Sequence, residues 1–186
     1  MIGYAFCGSF CTHERSVKAL LEISRMGFDI LPIMSECVYQ TDTKFGEARR
    51  LKEKVHEICG HDIIHTIVEA EPLGPKMPLE ALVISPCTGN TLAKLANGIT
   101  DTAVCMAAKA HLRSDRPLVI ALASNDALSA NLKNIGTLLS RKCVYFTPMC
   151  QDDPQNKPHS LVADFESLPK TLAFAIEGKQ MPKIFQ

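Results

Sequence analysis

The chain carries no excess charge of either sign: 20 basic and 20 acidic side chains give a formal net charge of zero. That balance excludes the basic footprint of a nucleic-acid binder and the cationic face that anionic lipid attracts. No apolar run reaches the roughly 18 residues needed to span a bilayer, and no charged-then-apolar leader with a small-residue cleavage site opens the sequence. The expectation is a cytoplasmic protein with neither a membrane nor a nucleic-acid partner. Glycine and proline are not enriched, at 10 and 11 of 186 residues, so neither a fibre nor a disordered chain is indicated. The eight cysteines fall well short of the roughly 8–10% that marks a disulfide scaffold. They read as reduced, mostly buried small hydrophobes. No CxxC pair starts a zinc site, and His61 and His65 lack the glutamate of an HExxH motif. No metal is expected.

What is present is globular: 46% apolar and 22% charged residues, enough for one domain over residues 1–186 and too little for two large ones. A short apolar run, Ile2-Gly-Tyr-Ala-Phe-Cys7, is followed by Gly8-Ser9 and then by helical spacing through Val17, Leu20, Leu21 and Ile23. Gly27 closes that helix, and Phe28 to Met34 reads as a second strand. Ala48, Leu51, Val55 and Ile58 space a helix over 45–58, stopped by Gly60, and residues 62–68 read as a third strand. Buried strands follow at 81–85, 118–123 and 144–147, with helices at about 90–97, 101–112, around 135–139 and 168–177. A polar loop fills about 151–160. Strands alternating with helices predict an α/β, three-layer Rossmann-like fold, a mostly parallel sheet flanked by helices.

In such a sheet, ligands bind beyond the carboxyl ends of the strands, where strand order reverses. Four strand ends are small and polar: Cys7-Gly8-Ser9, Met34-Ser35-Glu36, Ser85 to Thr91, and Ala123-Ser124-Asn125-Asp126. Helix N-termini there offer unpaired N–H groups to an anion, and hydroxyls add donors without bulk. Helix capping accounts for any one of these loops taken singly; four together point to a ligand, with a phosphoryl group gripped without cations. The candidate cofactor-binding residues are Gly8, Ser9, Ser35, Pro86, Cys87, Thr88, Gly89, Asn90 and Thr91. Asn125 and Asp126 are the candidate catalytic residues, by location at a strand end. Neither GxGxxG after the first strand nor GxxxxGK[ST] is present, which disfavours a dinucleotide or a nucleoside triphosphate and leaves a mononucleotide with an apolar ring. Cys87, at a helix start, reads as a space-filling residue or a reactive thiol. Lys76, in a Pro/Gly-rich loop, reads as a surface lysine or a contact to an acidic substrate.

The stretch Ser85-Pro-Cys-Thr-Gly-Asn-Thr91 continuing to Asp101 resembles the phosphate loop and following helices of the flavin-dependent cysteine decarboxylase superfamily, and Ala123-Ser124-Asn125 resembles its Ala-Met-Asn turn. Within it, the chain is most similar to the dipicolinate synthase B-chain family, on Thr43-Lys-Phe-Gly-Glu47, Ala70 to Lys76, Met106 to Ala110, Ser124 to Leu128, and Tyr145-Phe146 with Gln151-Asp152. The resemblance implies a flavoprotein fold, a homo-oligomer and an FMN site. It also implies a partner A chain that binds NADP, and oxidation of a pyridine dicarboxylate precursor in the mother cell of a sporulating bacterium.

Departures from the superfamily are equally specific. Where the decarboxylases place a catalytic histidine, this chain has Glu71-Pro72-Leu73-Gly74. Ser124 replaces the methionine of the turn, Gly89 replaces an alanine of the phosphate loop, and the arginine of prenyl-flavin-forming relatives is absent. Three readings follow: a component of an oxidoreductase, a flavin-dependent decarboxylase, and a scaffold component that binds metabolite without catalysis.

Overall fold

A computed structural model describes residues 1–186. Unbroken apolar character makes the central strands: β1 (Ile2–Phe6), β3 (Leu82–Cys87) and β4 (Leu118–Ser124) are buried at every position, as parallel strands covered on both faces must be. β2 (Ile30–Met34) and β5 (Val144–Phe146) flank them. The parallel strands lie in the order β2-β1-β3-β4, with β5 paired alongside β4. Strand order therefore reverses between β1 and β3.

Successive side chains on a strand point to opposite faces, and the core divides accordingly. Ala5, Ile84, Ile120 and Leu122 enter one cluster of 27 buried residues; Tyr4, Phe6, Val83 and Val119 enter another of 20. The first packs under α5 (Gly89–Ala96), α6 (Ala103–Leu112) and α7 (Leu132–Leu139). The second packs under α1 (His13–Arg25), α3 (Ala48–Cys59) and α8 (Leu168–Ile176). Two short helices, α2 (Glu36–Gln40) and α4 (Ile67–Ala70), fill connections.

The expected strand over 62–68 does not form. Ile64 makes one bridge to Ile33, after which the Thr66 hydroxyl accepts from Glu69 N–H and the Glu69 carboxylate accepts from Thr66 N–H, a capping box that starts α4. The helix expected from residue 45 begins at Ala48, whose N–H donates to Asp42 at 2.8 Å. The polar 151–160 region is flanked by two short antiparallel strands, β6 (Met149–Cys150) and β7 (Leu161–Ala163). β7 pairs with Ala123 and Ser124, the last two residues of β4. This hairpin stands at the carboxyl end of the sheet and hangs the polar loop beside the strand-end loops. No helix is long and apolar enough to cross a membrane.

Candidate functional site

The loop after β1 is shaped from within the sequence. Ser9 adopts a left-handed backbone (φ 58°, ψ 48°), which is uncommon for a residue with a Cβ. Its hydroxyl donates to Ala123 O at 2.7 Å, tying the end of β1 to the end of β4. His13, buried against Phe6 and Phe10, donates from Nε2 to Cys7 O at 2.8 Å. Burial lowers its pKa, against the two loop carbonyls that raise it, and keeps the ring neutral. With the carbonyls thus engaged, the N–H groups of Gly8 and Ser9 make no hydrogen bond within the chain.

Across the point of reversal lies the loop after β3. Thr88 caps α5, its hydroxyl accepting from Thr91 N–H at 3.1 Å. The two loops touch: a Cβ on Gly8 would lie 3.2 Å from Thr88 Cγ2. Gly89 faces the turn after β4, where Asp126 accepts from the Ser124 hydroxyl and from Asn131 Nδ2. The Ser124 and Asn131 donors hold the Asp126 carboxyl below its ordinary range. A Cβ on Gly89 would meet Ser124 Oγ at 2.5 Å, Asn131 Nδ2 at 2.6 Å and Asp126 Oδ1 at 2.7 Å. The polar triad thus occupies the space that a methyl group at residue 89 would need.

These loops border a cleft of about 490 Å³. Ser9, Thr88, Gly89, Ser124 and Asn125 all line it, so three of the four polar strand ends come together. Asn125 is exposed, and its side chain makes no hydrogen bond within the chain. Ser35, at the fourth strand end, is not part of the wall; its hydroxyl accepts from Val38 N–H and caps α2. Asn90 is exposed and Thr91 is buried in the first turn of α5, both outside the wall. Pro86 and Cys87 lie beneath the cleft, in the core.

A reactive Cys87 is not supported, because burial raises its thiol pKa far above the ordinary range, and neighbouring Cys7 is pushed up to about 12 by the same cause. Lys76 sits exposed away from the cleft. His61 pairs with Asp29 at 2.6 Å, and His65 stacks on Tyr39 at 3.8 Å. No group of three or more His, Cys, Asp or Glu side chains is arranged to hold a metal.

A site free of cations is the expectation that fails. Arg15 of α1 and Lys157 of the 151–160 loop both line the cleft, with Asp152 as its single acid. Lys157 pairs with Asp152 at 3.1 Å, and Asp152 also accepts from the Ser160 hydroxyl at 2.8 Å. One signal for Arg15 was in the sequence: a cation in the first turn of a helix opposes the macrodipole and needs another reason to be there. Lys157 had no local signal, since long-range contacts bring its loop to the cleft, the pairing of β7 with β4 and the Leu128 N–H bond to His159 O.

The arrangement suits an anionic ligand. Gly8 and Ser9 N–H groups and the start of α5 offer backbone donors, the hydroxyls of Ser9 and Thr88 add polar contacts, and the crevice lies where such sheets take their ligands. Comparison with known proteins agrees with the fold. The chain is 43% identical to the B-type subunit of dipicolinate synthase from Bacillus subtilis (strain 168) over 183 residues, covering 98% of this chain and 92% of the relative. The crystal structure of the corresponding B-type subunit from Bacillus halodurans C superposes with a TM-score of 0.92 at 41% identity, covering all of this chain and 95% of the other. The FMN-dependent cysteine decarboxylase SpaF shares the fold, with a TM-score of 0.64 at 21% identity over 94% of this chain and 95% of its own. A family model described as Flavoprotein matches residues 34–166. With that match across most of its length and a relative so similar from end to end, the chain belongs to the flavoprotein family.

Proposed function

We propose that this chain is the B-type subunit of a dipicolinate synthase, a flavin-binding component that contributes to oxidation of a dihydropyridine dicarboxylate to the aromatic pyridine dicarboxylate. The observation that carries the reading is the cleft at the β1/β3 reversal, lined by Ser9, Thr88, Gly89 and Asn125, in a chain 43% identical to a protein named for that synthesis. FMN is the cofactor. Its phosphate is assigned to the free N–H groups of Gly8 and Ser9 and to the N–H groups of Gly89 and Asn90 at the start of α5, whose cap takes Thr91 N–H onto the Thr88 hydroxyl. Ser35 supports the neighbouring strand end through its cap on α2.

When bound, the flavin supplies two-electron acceptor chemistry. The chain's own residues bind and orient. Pro86 and Cys87 are buried behind the loop and hold its backbone in place, and Asn125 offers an unengaged amide to a ring nitrogen or carboxylate. Asp126 acts as a positioning residue: both its oxygens are engaged, so it fixes Ser124 and Asn131 instead of accepting a substrate proton. The missing histidine at Glu71 to Gly74 argues against cysteine decarboxylation. We further assign a homo-oligomeric state, a cytoplasmic site of action in the sporulating mother cell, and an NADP-binding A chain as partner.

Reconstitution tests the reading. The purified chain should take up FMN with a shift of the flavin absorption bands, and pyridine dicarboxylate formation by the A chain with NADP should rise when this chain is added. Colourless protein that leaves added FMN unperturbed, together with full product formation by the A chain alone, would overturn it.

A further inference from the structure

We propose that Arg15 and Lys157 form a dianion-recognition element in the cleft, which takes one carboxylate of a small planar ring diacid while Asn125 faces its other end. The inference rests on the function proposed above and refines its substrate class. Arg15 is the third residue of α1, where the positive end of the helix disfavours a cation. No carboxylate pairs with it. Its guanidinium instead lies 4.9 Å from the centre of the Phe165 ring, a contact that restrains the group and leaves its N–H fork available. A fork of that kind matches a carboxylate through two parallel hydrogen bonds.

Lys157 lines the same cleft, and its partner Asp152 belongs to its own loop. An exposed pair of this sort holds its members loosely, so a ligand carboxylate replaces Asp152 with little loss. Two cations against one acid give the cleft lining a formal charge of +1, which attracts a dianion more strongly than a monoanion. The volume, about 490 Å³, lies within the range of small-molecule sites.

The test compares pyridine-2,6-dicarboxylate with pyridine-2-carboxylate on the full-length chain by calorimetry, with FMN affinity measured separately by fluorescence quenching. The wild-type chain should bind the diacid more tightly than the monoacid. Arg15→Gln and Lys157→Gln should each weaken diacid binding by about tenfold to a hundredfold, the range for a charge-assisted hydrogen bond, and leave FMN affinity within about twofold. Asp152→Asn keeps the acceptor for Ser160 but removes the competing charge, so it should tighten the diacid. A purely structural role for the loop predicts the opposite sign. Equal affinity for the two acids in a chain that takes up FMN overturns this inference alone. Loss of FMN binding in Arg15→Gln with the diacid preference intact also overturns it, by assigning the cations to the flavin phosphate. A wild-type chain that prefers the diacid but takes up no FMN overturns the flavin reading and leaves the recognition element standing.

Discussion

Gly89 and Ser124 form a matched pair. Single-site exchange at Gly89 puts a methyl group into the Ser124–Asp126–Asn131 triad, where every nearest atom is polar and already bonded. Gly89→Ala should therefore lower stability by about 1–3 kcal/mol, the usual cost of overpacking, read as a shift in the denaturant midpoint. Combining it with Ser124→Ala removes the nearest of the three atoms, so the double variant should lose less than the sum of the singles. Additive losses would show that the two positions do not share this space. Gly74 answers a different demand: it has φ +143°, and an added Cβ would strike the Ala110 carbonyl at the end of α6. Within the Ala70 to Lys76 stretch, Gly74 is thus the residue that lets the loop close on that helix.

Local elements show where the chain's own signals suffice. β1, β3 and β4 were legible because continuous burial on both faces writes an unbroken apolar run, and α1 because Gly27 stops it at φ 87°. β6 and β7 were not, since two and three residues are too short for period-2 alternation to register. The strand misread over 62–68 arose from Ile63, Ile64, Ile67 and Val68, although Thr66 and Glu69 already spelled a helix start. For the site, Ser9, Thr88 and Asn125 were found because they follow strands directly, whereas Lys157 reaches the cleft only through long-range contacts. At α5 the cap is itself testable. Thr88→Ala removes the acceptor for Thr91 N–H and should cost about 1 kcal/mol in thermal or denaturant unfolding. Thr88→Ser keeps the oxygen and should restore most of that loss.

Across the whole molecule, titration bounds the stable range from both sides. Burial lowers the pKa of His13 and of His111 from the usual 6.5, and His111 Nδ1 has no partner to receive a proton's charge. Below pH 6.5 the unfolded chain binds protons that the folded chain refuses, so stability falls with falling pH until the folded histidines also titrate. Asp126, lowered from 3.8 by its Ser124 and Asn131 donors, adds a further loss in stronger acid. On the alkaline side burial pushes Cys7 up to about 12 from 9.0 and raises Cys87; the unfolded thiols ionise first, so stability falls as pH rises above 9.0. Unfolding midpoints measured from pH 5 to 10 should form a plateau between about 6.5 and 9.0 and decline on each side. A profile flat through pH 5 would contradict neutral burial of the two histidines.

The β6–β7 hairpin pairs with the parallel strands at Ala123 and Ser124 and is anchored in the two cores by Met149, Leu161 and Ala163. The rim it carries is consequently modular: residues 151–160 can be exchanged for those of a relative while the sheet between the two cores stays untouched. A chimera made in that way should inherit the donor's choice of small molecule and keep the recipient's melting behaviour.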